Sequence, residues 1–302
     1  MTRRGWVLFA VMCVVWGVPY LLIKVAVGGV AVPVVVFART AGGAAVLLPL
    51  ALLTGQRMEG LRMALRRWRP LVVFALFEII TPWVLLSDAE RRLTSSLSGL
   101  LIASVPITGV LVARLTGGTE RLSRMRWCGL FVGLGGVAVL AVPHLGGGDA
   151  WAVVEVLLVA VCYASAPLIV ARKLAEVPTL PMIATCLTLA ALLYTPAAIA
   201  TWPRTPPSGQ VIAALAGLAT CCTALAFMVF LELIREVGTS RAMVFTYINP
   251  AVAVAAGVVV LGEPLSATIV TAFALIIGGS FLATAAQPRR LPAEAEAAAG
   301  AG

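Results

Sequence analysis

Two ionisable residues, Glu78 and Arg39, lie well inside apolar runs of the chain, where a charge is costly unless it has a partner. Glu78 could carry a proton, face a cationic or amino group of a ligand, or form half of a structural ion pair. Arg39 lies roughly 12 Å from the nearer end of its run, at 1.5 Å per helical residue. Because arginine keeps its proton, it needs an anion, which could be Glu78 or a ligand carboxylate. We predict that both residues face a cavity or each other, with Glu78 as a candidate proton site.

Trp16, Tyr20 and Lys24 recur every four residues in the first apolar run, which places them along one stripe of a helix. This stripe offers two aromatic surfaces and a cation to a small ligand. Ordinary packing of the rings explains the same pattern, and Lys24 could instead extend its ammonium group to the membrane surface. Trp83 and Tyr163 are further candidates for contact with a ligand.

Pro106 and Pro250 each fall near the middle of an apolar run. A proline there removes a backbone donor and frees the carbonyls of Ile102 and Thr246, four residues earlier. The freed carbonyls could serve a ligand or a hinge, and an ordinary packing kink is the alternative. Asn249 adds an amide that we expect to face the protein interior, because an unpaired amide is costly in lipid.

The elements that position these residues must be membrane helices. Of the 302 residues, 61% are hydrophobic and 12% are charged, against roughly 45–50% and 25% in soluble domains. A soluble fold cannot bury that much apolar surface, which excludes a soluble enzyme or a nucleic-acid-binding domain. The net charge of +9 comes from short basic clusters between apolar runs, so we interpret it as a topology signal and predict no nucleic-acid partner.

Ten membrane-spanning helices are predicted from the apolar runs, each about 20 residues long. The basic start followed by an apolar run resembles a signal peptide, but no small-residue cleavage site precedes Lys24, so we expect a retained first helix. Residues 287–302 are rich in Ala and Glu and are expected to form a disordered cytoplasmic tail. The ten predicted spans lie near residues 6–27, 31–53, 70–88, 93–113, 127–143, 151–171, 180–201, 210–231, 240–261 and 266–286.

Positive charge is distributed very unevenly between the two sets of loops. Of the 22 Lys and Arg residues, Lys24 and Arg39 lie inside spans, and Arg91, Arg92 and Arg204 lie on one side. The other seventeen lie on the side of the N-terminus. The positive-inside rule therefore predicts a multi-pass protein of the plasma (inner) membrane with both termini in the cytoplasm.

The two halves of the chain carry the same features in the same order, although chance similarity between apolar segments is an alternative explanation. Each half would hold five spans, at residues 1–147 and 148–286, and an odd number inserts the halves in opposite orientations. Inverted repeats are typical of secondary transporters that open a central site to either side. The paired features are Ser96 and Ser240, Pro106 and Pro250, Glu120 and Glu263, Leu122 and Leu265, Ser123 and Ser266, and the Gly-Gly pairs at 135–136 and 278–279.

Three stretches resemble the paired EamA repeats of the drug/metabolite transporter superfamily, and the resemblance covers about residues 6–286. It implies an all-α membrane protein of ten helices in two inverted repeats. It also implies a permease that exports a small metabolite, such as an amino acid, or a drug-like compound. The residues singled out above would line its substrate pathway. The stretches are Trp16-Gly17, Ala89-Glu90-Arg91-Arg92-Leu93 through Ser95-Ser96-Leu97 to Pro106, and Asn249-Pro250 through Leu261-Gly262-Glu263-Pro264.

Other classes of protein find less support. The only histidine, His144, has no nearby catalytic partner, so we do not expect an intramembrane enzyme, and no phosphate-binding Gly-x-x-x-x-Gly-Lys-Ser/Thr motif is present. No cofactor or metal is predicted, and the six cysteines are expected to be unpaired packing residues. We expect Glu155 to be solvated and Glu263 to cap the following helix or to take part in an outer gate. A non-transporting membrane scaffold or receptor remains the alternative function. The partners expected are a small-molecule substrate and the lipid bilayer.

Overall fold

The computed structural model describes residues 1–53, 57–117, 123–145 and 149–284 of the chain. Every regular element in these ranges is a helix. The expected tail at 287–302 and the repeat residues Glu120 and Leu122 lie outside the described residues. All six cysteines are free, and Cys128 and Cys221 are exposed.

Nine helices in the described part of the chain are long and apolar enough to cross a membrane, and a tenth apolar helix is shorter. The prediction of an all-helical membrane protein is therefore confirmed. The ten are α1 (Arg3–Val27), α2 (Val32–Leu53), α3 (Trp68–Ala89), α4 (Ser95–Leu115), α5 (Arg124–His144), α6 (Ala150–Leu174), α7 (Thr179–Ala200), α8 (Gly209–Val237), α9 (Asn249–Leu261) and α10 (Ala267–Thr284).

The ninth span begins with a short helix, Thr239–Ala242, and a 3₁₀ turn, Met243–Tyr247, before α9 itself. The span predicted at 240–261 is therefore interrupted where the sequence suggested a continuous helix. Another short helix, Arg57–Arg66, connects α2 to α3.

The two prolines begin new helical segments instead of kinking continuous ones. Helix α4 consists of Ser95–Ile102 and Val105–Leu115, and Pro106 is the second residue of the second segment. Pro250 is likewise the second residue of α9. The first backbone donors of a helix have no partner within the helix, so a proline costs little at these positions. Each proline thus follows a break between helical segments, so the alternative of an ordinary kink within a continuous helix does not describe either position.

Helices α3 and α8, the third helix of each half, are irregular in the same way. Each changes from α to π geometry within its length, at Leu76–Ile80 in α3 and at Thr220–Leu225 in α8. A third π turn ends α6 at Val170–Leu174. Single π turns often occur at functional sites, and the turns in α3 and α8 hold Glu78 and Thr223.

The packing of the helices follows a two-fold relation between the halves. Helix α2 packs extensively against α7, its counterpart in the other half, and α5 packs against its counterpart α10. Helix α1 packs against α8, and the equivalent pair under exchange of the halves, α6 and α3, also packs together. Since each half contains five helices, a two-fold relation between them requires opposite orientations in the bilayer.

Small residues allow the closest of these contacts. On α5, an added Cβ at Gly133 would meet the Ile107 side chain and the backbone of Gly279, and one at Gly129 would meet the backbone of Ala283. Backbones that approach this closely are typical of helix pairs in membranes. The α5–α10 pair is therefore a rigid unit that joins the two halves.

Candidate functional site

Arg39 lies at the junction of three helices and is only 7% exposed. Its Nε donates to Thr223 Oγ1 at 3.1 Å, in the π turn of α8. Its guanidinium carbon lies 3.6 Å from the centre of the Trp83 ring of α3, which makes a cation–π contact. Among the described residues it forms no ion pair with Glu78. Arg39 therefore joins both halves while its charge has no carboxylate in direct contact.

Two tyrosines lie near this arginine. Tyr20 of α1 and Tyr163 of α6 both interact electrostatically with Arg39. Tyr20 is buried and Tyr163 is half-buried. The structure thus brings together four of the residues singled out in the sequence, Arg39, Trp83, Tyr20 and Tyr163, from four different helices.

Glu78 lies in the π turn of α3 and is half-buried. It interacts electrostatically with Cys162 and Tyr163 of α6 and with Cys186 of α7. No hydrogen bond or ion pair is found for its carboxylate within the described ranges. No cation among the described residues compensates the charge that the ionised carboxylate would carry.

Trp16 and Tyr20 do not form one continuous stripe. Helix α1 is broken at residues 16–18 into Arg3–Val15 and Pro19–Val27. Trp16 packs in an aromatic cluster whose other members come from α8 and the turn before α9. Its ring centre lies 5.7 Å from that of Phe227, 5.1 Å from Phe230 and 5.2 Å from Phe245. The packing role considered in the sequence analysis accounts for this tryptophan.

Asn249 pairs with a backbone carbonyl next to the break in α1. With its amide nitrogen oriented towards the interior, it donates to the carbonyl of Cys13 at 3.2 Å and to that of Phe245 at 3.1 Å. The amide is therefore paired inside the protein, as expected, and it ties α9 to the end of the first segment of α1.

Lys24 turns its ammonium group towards the backbone and forms no ion pair with a carboxylate among the described residues. Its Nζ donates to the backbone carbonyls of Glu90 and Leu93, both at 2.7 Å. These carbonyls belong to the turn between α3 and α4, where the end of a helix leaves acceptors unpaired. Lys24 therefore holds this turn in place.

The turn contains Glu90, a residue that the sequence analysis quoted only as part of the family resemblance. Glu90 is fully buried, at 0% exposure. Its Oε1 and Oε2 are two of the three buried side-chain oxygens of the described chain that have no hydrogen-bond partner, and the third is Ser98 Oγ. The adjacent Arg91 and Arg92 make the sequence resemble a solvated loop, which concealed this burial.

Glu263 connects the two halves at the same end of the bundle. One carboxylate oxygen accepts from Ser95 N at 2.7 Å and Ser95 Oγ at 2.9 Å. The other accepts from Ser96 N at 2.9 Å and Ser96 Oγ at 2.5 Å. We call this group of Glu263, Ser95 and Ser96 the latch, and the end of the bundle where it lies the latch end. Glu263 thus caps α4 of the opposite half, where the sequence suggested the following helix or an outer gate.

The chemistry of the latch suits an ionised carboxylate. Burial alone would raise the pKa of Glu263, but the hydrogen bonds from Ser96 and Ser95 outweigh that effect and hold its pKa below the ordinary value. Gly257 makes room for the arrangement, since a Cβ there would collide with the Glu263 carboxylate and the Ser96 hydroxyl.

A second polar connection lies at the latch end. Arg92 pairs with Asp88 at 2.7 Å and with Glu155 of α6 at 2.8 Å. Glu155 is 3% exposed, so the expectation that it is solvated was wrong. Its carboxylate can be buried because the Arg92 guanidinium neutralises it.

Polar contacts between the halves at the opposite end are exposed. Arg4 pairs with Glu232 at 2.9 Å and Arg67 pairs with Glu176 at 3.2 Å, and in each pair both side chains are more than a third exposed. Exposed pairs contribute little stability. The halves are therefore joined by buried polar contacts at the latch end and by weak ones at the other end.

Helices α4 and α9 show the same asymmetry. At the latch end, Ser95–Ile102 packs against α9, and an added Cβ at Gly99 would meet Ala253. Towards the opposite end, Val105–Leu115 packs against α6 and α10, while the turn before α9 packs against α1 and α9 itself. Corresponding helices of the two halves thus meet closely at the latch end.

A surface cleft of about 510 Å³ also lies near the latch end, and its polar lining includes Asp88, Arg91 and Glu155. None of the candidate residues singled out in the sequence lines it. We therefore place the candidate site at the Arg39 cluster between the halves and not in this cleft.

The fold and the site define a class of protein: a helical membrane protein built of two inverted five-helix halves around a buried charged and aromatic cluster. Residues 3–142 and 150–285 each match the model of the EamA-like transporter family. The chain belongs to this family. It is therefore a multi-pass membrane transporter and not an enzyme.

Named relatives and a solved structure agree with this assignment. The chain is 26% identical to the uncharacterized inner membrane transporter YedA of Escherichia coli K12, over 91% of this chain and 90% of that one. It is also 26% identical to the uncharacterized transporter YvbV of Bacillus subtilis, over 91% and 89%. A crystal structure of 22% sequence identity superposes with a TM-score of 0.66 over 96% of this chain and 100% of the other. This last similarity shows the fold.

Proposed function

We propose that the protein is a secondary transporter that exports a small metabolite or drug-like compound by alternating access. The observation that carries the proposal is the two-fold packing of the halves combined with asymmetric closure. Among the described residues, the buried or half-buried carboxylates of Glu155 and Glu263 join the halves at the latch end, whereas the ion pairs Arg4–Glu232 and Arg67–Glu176 at the opposite end are exposed. Two similar halves can exchange conformations, which moves the closure from one end to the other.

The membrane and the orientation are part of this proposal. The relative YedA is described as an inner membrane transporter, and the excess of Lys and Arg on one set of loops supports an orientation with both termini in the cytoplasm. In this orientation the latch end faces away from the cytoplasm. The structure then corresponds to a carrier whose outer end is closed.

The substrate pathway in this proposal passes the cluster around Arg39. The guanidinium offers a charge to an anionic or carboxylate group, and the rings of Trp83, Tyr20 and Tyr163 suit the apolar part of a small molecule. Trp16, Lys24 and Asn249 support this cluster through their contacts with α8, the α3–α4 turn and α1. Pro106 and Pro250 begin helical segments and are proposed as hinges.

Glu78 is proposed as the proton site of the transport cycle, because its carboxylate lies in a π turn close to Tyr163 with no compensating cation among the described residues. The test compares uptake into proteoliposomes by wild type, Glu78→Gln and Glu78→Asp, with and without an imposed pH gradient. We expect the gradient to stimulate wild type and Glu78→Asp only. Equal stimulation of all three proteins would remove Glu78 from this role.

The substrate is best found by an unbiased comparison of metabolites inside and outside cells that lack or overproduce the protein. For an exporter, at least one compound accumulates inside the lacking strain and outside the overproducing strain. The same compound should then be transported by the purified protein in proteoliposomes. No reciprocal change in any compound would favour the alternative of a non-transporting scaffold or receptor.

A further inference from the structure

Glu90 has surroundings unlike those of any other carboxylate described in this chain. It is fully buried, and neither carboxylate oxygen has a hydrogen-bond partner among the described residues. It lies five residues before Ser95 on the short turn from α3 to α4, so any movement of the latch is transmitted to it. The site proposed above for the substrate does not use this carboxylate.

Charged and titratable groups approach Glu90 from several elements, but none of those described donates a hydrogen bond to its carboxylate. Lys24 donates to two backbone carbonyls, Arg39 donates to Thr223, and the Glu263 carboxylate accepts from the latch serines. The groups facing this region are Tyr20 and Lys24 of α1, Arg39 of α2, Asp88 of α3, Arg91 and Arg92 of the turn, Glu155 of α6 and Glu263 of the α9–α10 loop.

A carboxylate that is buried without a hydrogen bond is much less stable as an anion than as a neutral carboxylic acid. The nearby Lys24 and Arg39 reduce this cost, and the nearby Glu263 anion increases it. No described donor makes a hydrogen bond of normal geometry to either oxygen, and burial outweighs the nearby cations and the Lys24 backbone N–H, so the closed latch end selects the protonated form. When the latch separates, water can reach the turn and solvate the anion.

We propose that Glu90 is a proton-binding site whose occupancy holds the latch end closed. On closing, a proton passes from water at that end to a carboxylate oxygen of Glu90, and on opening it returns to water. This inference deepens the proposed transport cycle, since it assigns the ion that controls one of its two gates. Since the closed state binds the proton more tightly, thermodynamic linkage requires that lower pH favours closure and higher pH favours opening.

Hydrogen–deuterium exchange of the full-length protein in lipid nanodiscs tests the proposal without any substrate. The Ser95 and Ser96 amides donate to Glu263 only while the latch is closed, so a peptide that contains them reports its opening. Exchange is measured from about pH 5 to about pH 9 and corrected for the intrinsic pH dependence of the chemistry. In wild type, the corrected exchange rate of this peptide should rise with pH. The rise should reach up to about tenfold per pH unit over the range in which Glu90 is protonated in the closed state and ionised in the open state.

Three variants make the result decisive. Glu90→Gln imitates the protonated form and should keep the peptide protected at every pH, whereas Glu90→Asp keeps a titrating carboxyl and should retain the pH dependence. Glu59→Gln changes an exposed glutamate on the connecting helix and should match wild type. A wild-type profile that is flat, a Glu90→Gln profile that follows wild type, or a flat profile in folded Glu90→Asp would overturn the proposal.

This experiment also separates the inference from the proposed function. A flat exchange profile in a protein that transports a substrate would refute the proton site and leave the transporter intact. A pH-dependent latch in a protein that moves no compound would refute the transport cycle and leave the proton site intact.

Discussion

Glu263 and Glu90 interact electrostatically at the latch end, yet the two carboxylates have opposite surroundings. Glu263 accepts four hydrogen bonds from Ser95 and Ser96, and Glu90 accepts none within the described chain. The hydrogen bonds stabilise the anion of Glu263, while burial disfavours the anion of Glu90. At the scale of single residues, the number of donors decides which carboxylate binds a helix and which one is free to titrate.

Replacing Glu263 with Gln should open the latch. The amide nitrogen of Gln donates and cannot accept, so it would face the backbone N–H of one of the two serines without bonding it, at a cost of about 1.5–3 kcal/mol for a lost bond to a charged acceptor. We expect faster amide exchange at Ser95 and Ser96 in Glu263→Gln than in wild type. Glu59→Gln is the matched control, and unchanged exchange in both variants would contradict the latch.

The lowered pKa of Glu263 adds a pH limit to the same measurement. Its contribution to the latch is fully present above its ordinary pKa and is lost as pH falls through the lowered one. Protonation of Glu263 should therefore weaken the latch only in solutions more acidic than about pH 4, separately from the opening that Glu90 is proposed to cause at higher pH. Loss of protection already near neutral pH in Glu90→Gln would show that Glu263 is not held as described.

Arg39→Lys should impair transport although the positive charge is kept. Lysine has no planar group to lie over the Trp83 ring and no fork of donors, so both the stacking and the geometry of the Thr223 contact are lost. We expect at least about a tenfold loss of substrate flux, equivalent to about 1.4 kcal/mol. Arg204→Lys, on an exposed loop, should retain wild-type flux, and equal flux in the two variants would exclude Arg39 from the pathway.

At the scale of helices, the sequence predicted the number and position of the spans because each one is an apolar run bounded by charges or turn residues. It did not predict the break at residues 16–18 or the π turns in α3 and α8, since these depend on neighbouring helices more than on local composition. For the same reason, only some of the functional residues could be predicted from the sequence. Arg39 and Glu78 are conspicuous in apolar runs, whereas the burial of Glu90 arises only when the loop of the other half covers it.

The break in α1 provides a test at this scale. An added Cβ at Gly17 would lie 2.5 Å from Val252 Cβ of α9, which forces α1 and α9 apart. We expect Gly17→Ala to destabilise the protein by about 1–3 kcal/mol, as is typical of overpacking, and to lower its melting temperature in detergent. Gly109→Ala is the matched control, because nothing lies within 4 Å of its added Cβ, and it should be neutral or slightly stabilising. A Gly17→Ala protein as stable as wild type would show that the helices are not this close.

At the scale of the whole molecule, the pairing of α2 with α7 and of α5 with α10 keeps corresponding helices of the two halves together. Helices α4 and α9 instead meet closely at the latch end and have different neighbours towards the other end. A carrier needs both features, since a fixed core must support elements that close one end at a time.

The inverted arrangement predicts that both chain ends lie on the same side of the membrane, in the cytoplasm. Green fluorescent protein fused to either end should fluoresce, and alkaline phosphatase fused to either end should be inactive, because the phosphatase needs the oxidising periplasm for its disulfides. Fusions after Thr201, on a loop predicted to be outer, are the control and should give the reverse pattern. Opposite results for the two ends would exclude two inverted halves of five spans.

Alternating access itself is tested most directly by pulsed electron paramagnetic resonance on a cysteine-free background, with one spin-label pair across each end. Labels at Arg91 and Leu265 span the latch end, and labels at Leu115 and Met243 span the opposite end, all at exposed positions. With Glu263→Gln added to open the latch, we predict a longer distance at the latch end together with a shorter one at the opposite end. Distances that stay the same at both ends, or that change at the latch end alone, would contradict a carrier that opens to one side at a time.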